Sequence, residues 1–176
     1  MKTLIDHLAN YASYHRHVRN VVTHLVGIPM IVLSFAGLLA GAGVELGGQR
    51  VTAADLAWVL TTVFYLRLDL RFGLTMAALV GLAVLGGHQL AALPQAAWLS
   101  WSIGVFVVGW VFQFIGHFYE GRKPAFVDDL VGLLVGPLFI VAEVAFFLGL
   151  RREVQQQVEA LAGPLRNAPA VARSRA

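Results

Sequence analysis

The residues able to do chemistry in this chain are its six histidines, His7, His15, His17, His24, His88 and His117, and a few carboxylates set among apolar residues. Histidine titrates near neutrality and is the commonest metal ligand. There is no cysteine, so disulfides, thiolate metal sites and thiol nucleophiles are excluded. A metal held here would take imidazole and oxygen ligands, a set that suits iron, zinc, copper or manganese.

Spacing singles out some of these residues. His117 and Glu120 are three apart and face one way on a helix, with Gln113 one turn earlier on the same stripe. A His and Glu at that spacing aim two ligands at one point, as carboxylate metal sites in helix bundles do; the same pair could equally form a hydrogen-bonded cap. Asn20 and His24, four apart, also share a face. His15 and His24 are nine apart, about half a turn out of phase and ~13 Å along an unbroken helix, so both reach one ion only if the chain bends between them. We expect that bend near Asn20. Glu143 stands well inside an apolar run, where a carboxylate needs a partner or a proton. His7 and His88 read as bystanders, and His17 as a headgroup contact. Arg122 and Lys123 follow the His117–Glu120 pair and could hold the carboxylate of an acidic lipid.

The elements that must position these groups are membrane helices. Of 176 residues, 58% are hydrophobic and only 13% charged, and mean hydropathy is +0.71. Soluble domains are typically about one-quarter charged. Leu4, Leu8, Tyr11, His15 and Val18 form one stripe of an amphipathic interfacial helix over residues 2–20. Apolar runs follow at 21–44, 56–66, 72–93, 96–118 and 126–150. Most approach the ~20 residues that cross a bilayer core. We count five candidate spans, with four as the alternative. The fold class expected is therefore all-α, a polytopic helix bundle. Residues 1–150 would form one membrane-embedded catalytic domain, and 151–176 a polar helix with a disordered tail from Gly163. The glycine-rich stretch 41–48 reads as a turn, and the last run, broken at Gly136-Pro137, could re-enter as a hairpin.

Net charge is +3 and the pI near 9.7. The basic residues sit in short loops and the tail, which signals orientation rather than nucleic-acid binding. Lys2, Arg16 and Arg19, then Arg67 and Arg71, then Arg122 and Lys123 alternate with loops poor in charge. The N-terminus and the histidine site are expected at the cytoplasmic face of a bacterial inner membrane, or of the endoplasmic-reticulum membrane in a eukaryote. The first twenty residues hold no apolar h-region, so no cleavable signal peptide is expected.

Two blocks carry a resemblance. Tyr14-His15, Asn20, His24 and Pro29 read Y-H-x4-N-x3-H-x4-P, and Trp110, Gln113, Phe114, Ile115, Gly116, His117, Glu120, Pro124 and Ala125 read W-x2-Q-F-I-G-H-x2-E-x3-P-A. Asp128 and then Pro137, Phe139 and Glu143 complete the set. From about residue 4 to 150 the chain resembles fungal endoplasmic-reticulum 2-hydroxy fatty acid dioxygenases and their bacterial relatives. The resemblance implies an Fe(2+)-dependent oxygenase that uses O2 to remove one carbon from a 2-hydroxy fatty acid, in phytosphingosine degradation. It also implies His15, His24 and His117 as iron ligands, Glu120 as a ligand or supporting partner, and Asn20 and Glu143 as support. Arg16 stands where some relatives carry histidine. Such a substrate chelates a metal through its carboxylate and hydroxyl, and its tail accounts for a membrane site. Other classes compatible with the residues are a proton- or ion-coupled transporter using His117 and Glu143 as relays, and another metal-dependent lipid-modifying enzyme.

Overall fold

The computed structural model describes residues 2–124 and 131–167. Ala125, at the end of the second block, and Asp128 lie outside the described residues. The chain is mostly helical among the described residues: α1 (Leu4–Ala12), α2 (Val18–Ala40), α3 (Ala53–Leu68), α4 (Leu70–Ala91), α5 (Gln95–Glu120), α6 (Gly132–Phe147) and α7 (Arg152–Ala162). A hairpin of β1 (Gly43–Leu46) and β2 (Gln49–Thr52) joins α2 to α3, pairing Val44 with Val51 and Glu45 with Arg50. Its two-residue turn, Gly47-Gly48, has φ of 58° and 79°, a left-handed pair that glycine adopts without penalty.

Three helices are long and apolar enough to cross a membrane, α2, α4 and α5, and a fourth span results if the bent pair α6 and α7 counts as one. The five runs read from the sequence are reduced because α3 has only 16 residues, and so does α6. Thr52 and Asp55 cap the start of α3 reciprocally, and the Asp69 side chain takes the Phe72 N–H at 2.9 Å to start α4. Asp69 alone separates the two helices, with Arg67 in the last turn of α3 and Arg71 in the first turn of α4. The last run does not break at Gly136-Pro137: α6 continues through Pro137, and the 116° bend lies between α6 and α7. There Gly149 has φ 75° and Arg151 φ 53°, so the chain reverses where the backbone is left-handed rather than where a proline removes one N–H.

Two compact units form, one from Pro29–Trp110 and one from Met1–Ile28 with Val111–Ala176. The first has a core of small residues, Ala36, Ala40, Ala54 and Val84. Gly87 in α4 lies so close to α2 that an added Cβ would stand 2.7 Å from the carbonyl carbon of Ala36. Lipid gives no hydrophobic drive between helices, and close backbone approach through small residues replaces it. Large apolar side chains such as Leu74, Leu82 and Leu85 are exposed, as a lipid-facing surface requires.

Of the described residues of the two sequence blocks, the second unit carries all but Pro29 and Trp110. Thr3 and Asp6 form a capping box that starts α1, and the helix stops at Ala12 rather than running on to residue 20. Leu4, Leu8 and Tyr11, the apolar stripe of that helix, are buried, and α1 packs on α6 and α7. Residues Ser13–His17 are a non-helical junction, and α2 begins at Val18. The bend expected near Asn20 therefore comes earlier and releases His15 from any helix. The tail expected from Gly163 is bonded for its first residues: Arg166 N–H donates to Arg16 O at 2.8 Å and Val18 N–H to Arg166 O at 3.0 Å. Residues 168–176 lie outside the described residues.

Candidate metal centre

His15, His24 and His117 converge in the second unit, each offering a ring nitrogen within 4.8 Å of the others. All three are buried, with exposures of 0%, 1% and 7%. Their ring centroids are 4.6 to 5.0 Å apart and the rings stand edge to face. His15 comes from the junction, His24 from the second turn of α2, and His117 from the last turn of α5.

Hydrogen bonds fix which nitrogen points inward. His15 Nδ1 lies 2.7 Å from Tyr11 O, and His24 Nδ1 lies 2.9 Å from Asn20 O. A carbonyl only accepts, so each Nδ1 must carry the hydrogen and each neutral ring keeps a lone pair on Nε2. The two Nε2 atoms face one another at 3.1 Å. Two lone pairs at that separation repel unless a cation lies between them. Metal-ligating histidines donate their outer N–H to carbonyls in this way, which fixes tautomer and ring orientation. His117 Nδ1 is buried with no hydrogen-bond partner among the described residues, as are Asn20 Oδ1 and Gln113 Nε2. Burial holds the His15 ring well below the ordinary imidazole range, and His24 and His117 beside it push the same way. Neutral imidazole is the ligating form. By donor type, tautomer and orphaned nitrogen, the buried triad fits a metal ion.

The carboxylates lie around this group. Glu120 is fully buried and is not part of the converging set among the described residues. Its Oε2 takes the His17 N–H at 2.8 Å and the Asn20 Nδ2–H at 3.1 Å, while Oε1 pairs with the Arg166 guanidinium. The spacing of His117 and Glu120 set both at the end of α5, but the two side chains serve different neighbours. Asn20 thereby links Glu120 to His24, since its own carbonyl holds the His24 ring.

Glu143 in α6 is partnered by Arg16, Nη2 to Oε1 at 2.6 Å, with both side chains at most 10% exposed. Arg16 also donates through Nε to the carbonyls of Ala12 and His15, at 3.0 and 3.1 Å, and through Nη1 to Gly163 O at 3.2 Å. Its guanidinium lies over the Phe139 ring, 5.7 Å from the centroid. The junction that presents His15 is thus tied down by the neighbouring arginine. The His15 ring also stacks on Tyr11, with centroids 4.1 Å apart.

Close approach of α5 to α2 completes the geometry. A Cβ on Gly116 would stand 2.4 Å from Asn20 Oδ1 and from Thr23 Oγ1, and 3.0 Å from His24 Nδ1. Gly116 lets α5 lie directly against the Asn20, Thr23 and His24 side chains, and a larger residue would have to displace them.

Other histidines lie apart from the triad. His17 Nδ1 accepts the Arg19 N–H at 3.1 Å, and the ring stacks on Tyr119. His88 pairs with Asp55 at 3.0 Å, and both are about one-third exposed. His7 is half-buried on α1. Arg122 is exposed and donates to Ser13 O at 3.0 Å; Lys123 is exposed too. Sequence reasoning missed the structural parts of Arg16 and Arg166. Glu143 in an apolar run called for a cation, and Arg16, beside a histidine of the first block, was the signal. No such signal marked Arg166, whose place depends on the return of the chain after α7.

A family model described as 2-hydroxy-palmitic acid dioxygenase Mpo1-like matches residues 1–148. The 2-hydroxy-palmitic acid dioxygenase MPO1 of Saccharomyces cerevisiae is 32% identical over 160 residues, which cover 89% of this chain and 87% of the yeast protein. No solved structure matches. With a buried histidine triad built from the two blocks that carry the likeness, the chain belongs to the 2-hydroxy-palmitic acid dioxygenase Mpo1-like family.

Proposed function

We propose that this protein is a membrane-embedded, Fe(II)-dependent dioxygenase that shortens 2-hydroxy fatty acids by one carbon. The observation that carries the reading is the pair of Nε2 lone pairs of His15 and His24 facing one another at 3.1 Å, with the buried His117 ring beside them. His15, His24 and His117 would hold the ion. Bound there, Fe(II) supplies the redox chemistry that O2 needs to react with a closed-shell substrate.

The chain's own residues do the rest. The Tyr11 and Asn20 carbonyls keep the hydrogens of His15 and His24 on the outer nitrogens. Glu120 holds Asn20 and the backbone at His17, and Glu143 holds Arg16, so we assign Asn20, Glu120 and Glu143 to positioning. Arg122 and Lys123 follow the last turn of α5 and supply exposed positive charge for the substrate carboxylate. The face of α5 opposite Gln113 and His117 exposes Val111, Phe114, Ile115 and Phe118, an apolar stripe suited to lipid. Burial of the three rings keeps bulk water from the reacting groups. The charge pattern of the short loops supports a cytoplasmic N-terminus.

The test is anaerobic loading of detergent-purified protein with Fe(II), then addition of 2-hydroxypalmitate and O2. O2 uptake with a product one carbon shorter, absent from His117→Ala, is expected. Iron-loaded protein that consumes no O2 with this substrate would overturn the reading.

A further inference from the structure

The buried carboxylate of Glu120 needs a cation, and that cation comes from beyond the residues the family model matches. Glu120 has two neutral donors, His17 N–H and Asn20 Nδ2–H. Neither offsets the cost of holding a full negative charge at 0% exposure. Arg166 supplies the positive charge, from a side chain 18% exposed. It arrives on a strap, the residues after α7. Gly163 O takes a hydrogen bond from Arg16 Nη1 at 3.2 Å, and Arg166 forms a parallel bridge with His17 through bonds of 2.8 and 3.0 Å to Arg16 and Val18. The strap thus lies along the segment between His15 and α2. The family model's match ends at residue 148, so the strap falls outside it.

We infer that Arg166 is a positioning residue for the metal site, acting through Glu120. The inference rests on the metal-binding reading above. The chain of contacts runs from the Arg166 guanidinium to Glu120, from Glu120 to the Asn20 amide, and from the Asn20 carbonyl to His24 Nδ1. A second branch runs from Glu120 to the His17 N–H, two residues after His15. Without Arg166, the Glu120 carboxylate keeps only neutral donors and must turn toward solvent. That turn weakens its hold on Asn20 and on the junction, and the two facing Nε2 atoms lose their register. Partners that orient metal ligands typically contribute about 10- to 100-fold in metal affinity.

The experiment is an anaerobic Fe(II) titration, with Co(II) absorption spectra as a second readout, on four full-length proteins. These are wild type, Arg166→Gln, Arg166→Lys, and the double variant Glu120→Gln with Arg166→Gln. Arg166→Gln is expected to bind about 10- to 100-fold more weakly with an altered Co(II) spectrum. Arg166→Lys should recover most of the affinity because it restores the charge. The double variant should bind more tightly than Arg166→Gln alone, because no buried charge is left without a partner; it and the lysine variant also carry the test if Arg166→Gln fails to fold. Wild-type affinity and spectrum in Arg166→Gln, even with a lowered Tm, would overturn the inference while leaving the metal reading intact. Wild type that binds neither ion would overturn the metal reading, and this inference with it.

Discussion

His15 Nε2 and His24 Nε2 lie 3.1 Å apart, and neither nitrogen carries a hydrogen when its ring is neutral, because both Nδ1 atoms donate to backbone carbonyls. The pair is held in a repulsive arrangement by Tyr11 on one side and Asn20 on the other. Charge between the two rings relieves it. The triad could thus hold a cation at a defined point, as proposed above, and several consequences can be measured.

Replacing His24 with glutamine removes a ring donor but keeps a side chain of similar reach. Bound metal should fall to a small fraction of the wild-type content by elemental analysis, while helical content by circular dichroism stays within error. His88→Gln removes a histidine paired with Asp55 and outside the triad, so its metal content should match wild type. Loss of metal in His88→Gln and retention in His24→Gln would reverse the assignment.

Acid should weaken the metal-free protein. His15 is held well below 6.5 in the folded chain and returns to about that value when unfolded. Between the two pKa values the unfolded chain binds a proton that the folded chain does not. Stability is therefore full above about 6.5 and declines as pH falls below it. Metal-stripped protein should lose Tm between pH 7 and pH 5, and His15→Phe should show a shallower loss. Equal slopes for the two would mean that His15 does not set this dependence.

Gly116→Ala puts a methyl group 2.4 Å from Asn20 Oδ1 and Thr23 Oγ1. The helices must separate there, at a cost of about 1–3 kcal/mol. Gly104 in the same helix has nothing within 4 Å of the added Cβ, so Gly104→Ala should be neutral or stabilise by up to about 1 kcal/mol. Thermal unfolding of both variants, alongside metal content, separates local crowding from helix propensity. Equal Tm values would contradict the close packing of α5 on the start of α2.

Glu143→Leu leaves Arg16 buried without its carboxylate, and breaking such a pair typically costs about 3–5 kcal/mol. The double variant Arg16→Met with Glu143→Leu should be less destabilised than Glu143→Leu alone, since no buried charge is left unpaired. Denaturant midpoints in one detergent would show this order. The reverse order would indicate that Arg16 matters through its bonds to Ala12, His15 and Gly163 rather than through Glu143.

What could be read from the sequence follows the range of the forces involved. Helix spacing is local, so His117 near the end of α5 and Asn20 with His24 on one face of α2 were legible in the residues. The bend that frees His15 was also required by spacing, but its position was not. The helix stops at Ala12 because Arg16, Tyr11 and Glu143 hold the junction in a non-helical form, and those contacts are remote in sequence. The same limit applied to Glu120. Its spacing from His117 could not reveal that Arg166, 46 residues on, would claim one of its oxygens. Length misled for the last run, since apolar composition continues across the turn where Gly149 and Arg151 reverse the chain.

The most direct test of the account is the metal content of anaerobically purified protein, wild type against His15→Ala, His24→Ala and His117→Ala. Near-stoichiometric iron in wild type and its loss from each of the three variants is the expected result. Wild type without iron, or iron retained by all three variants, would contradict it.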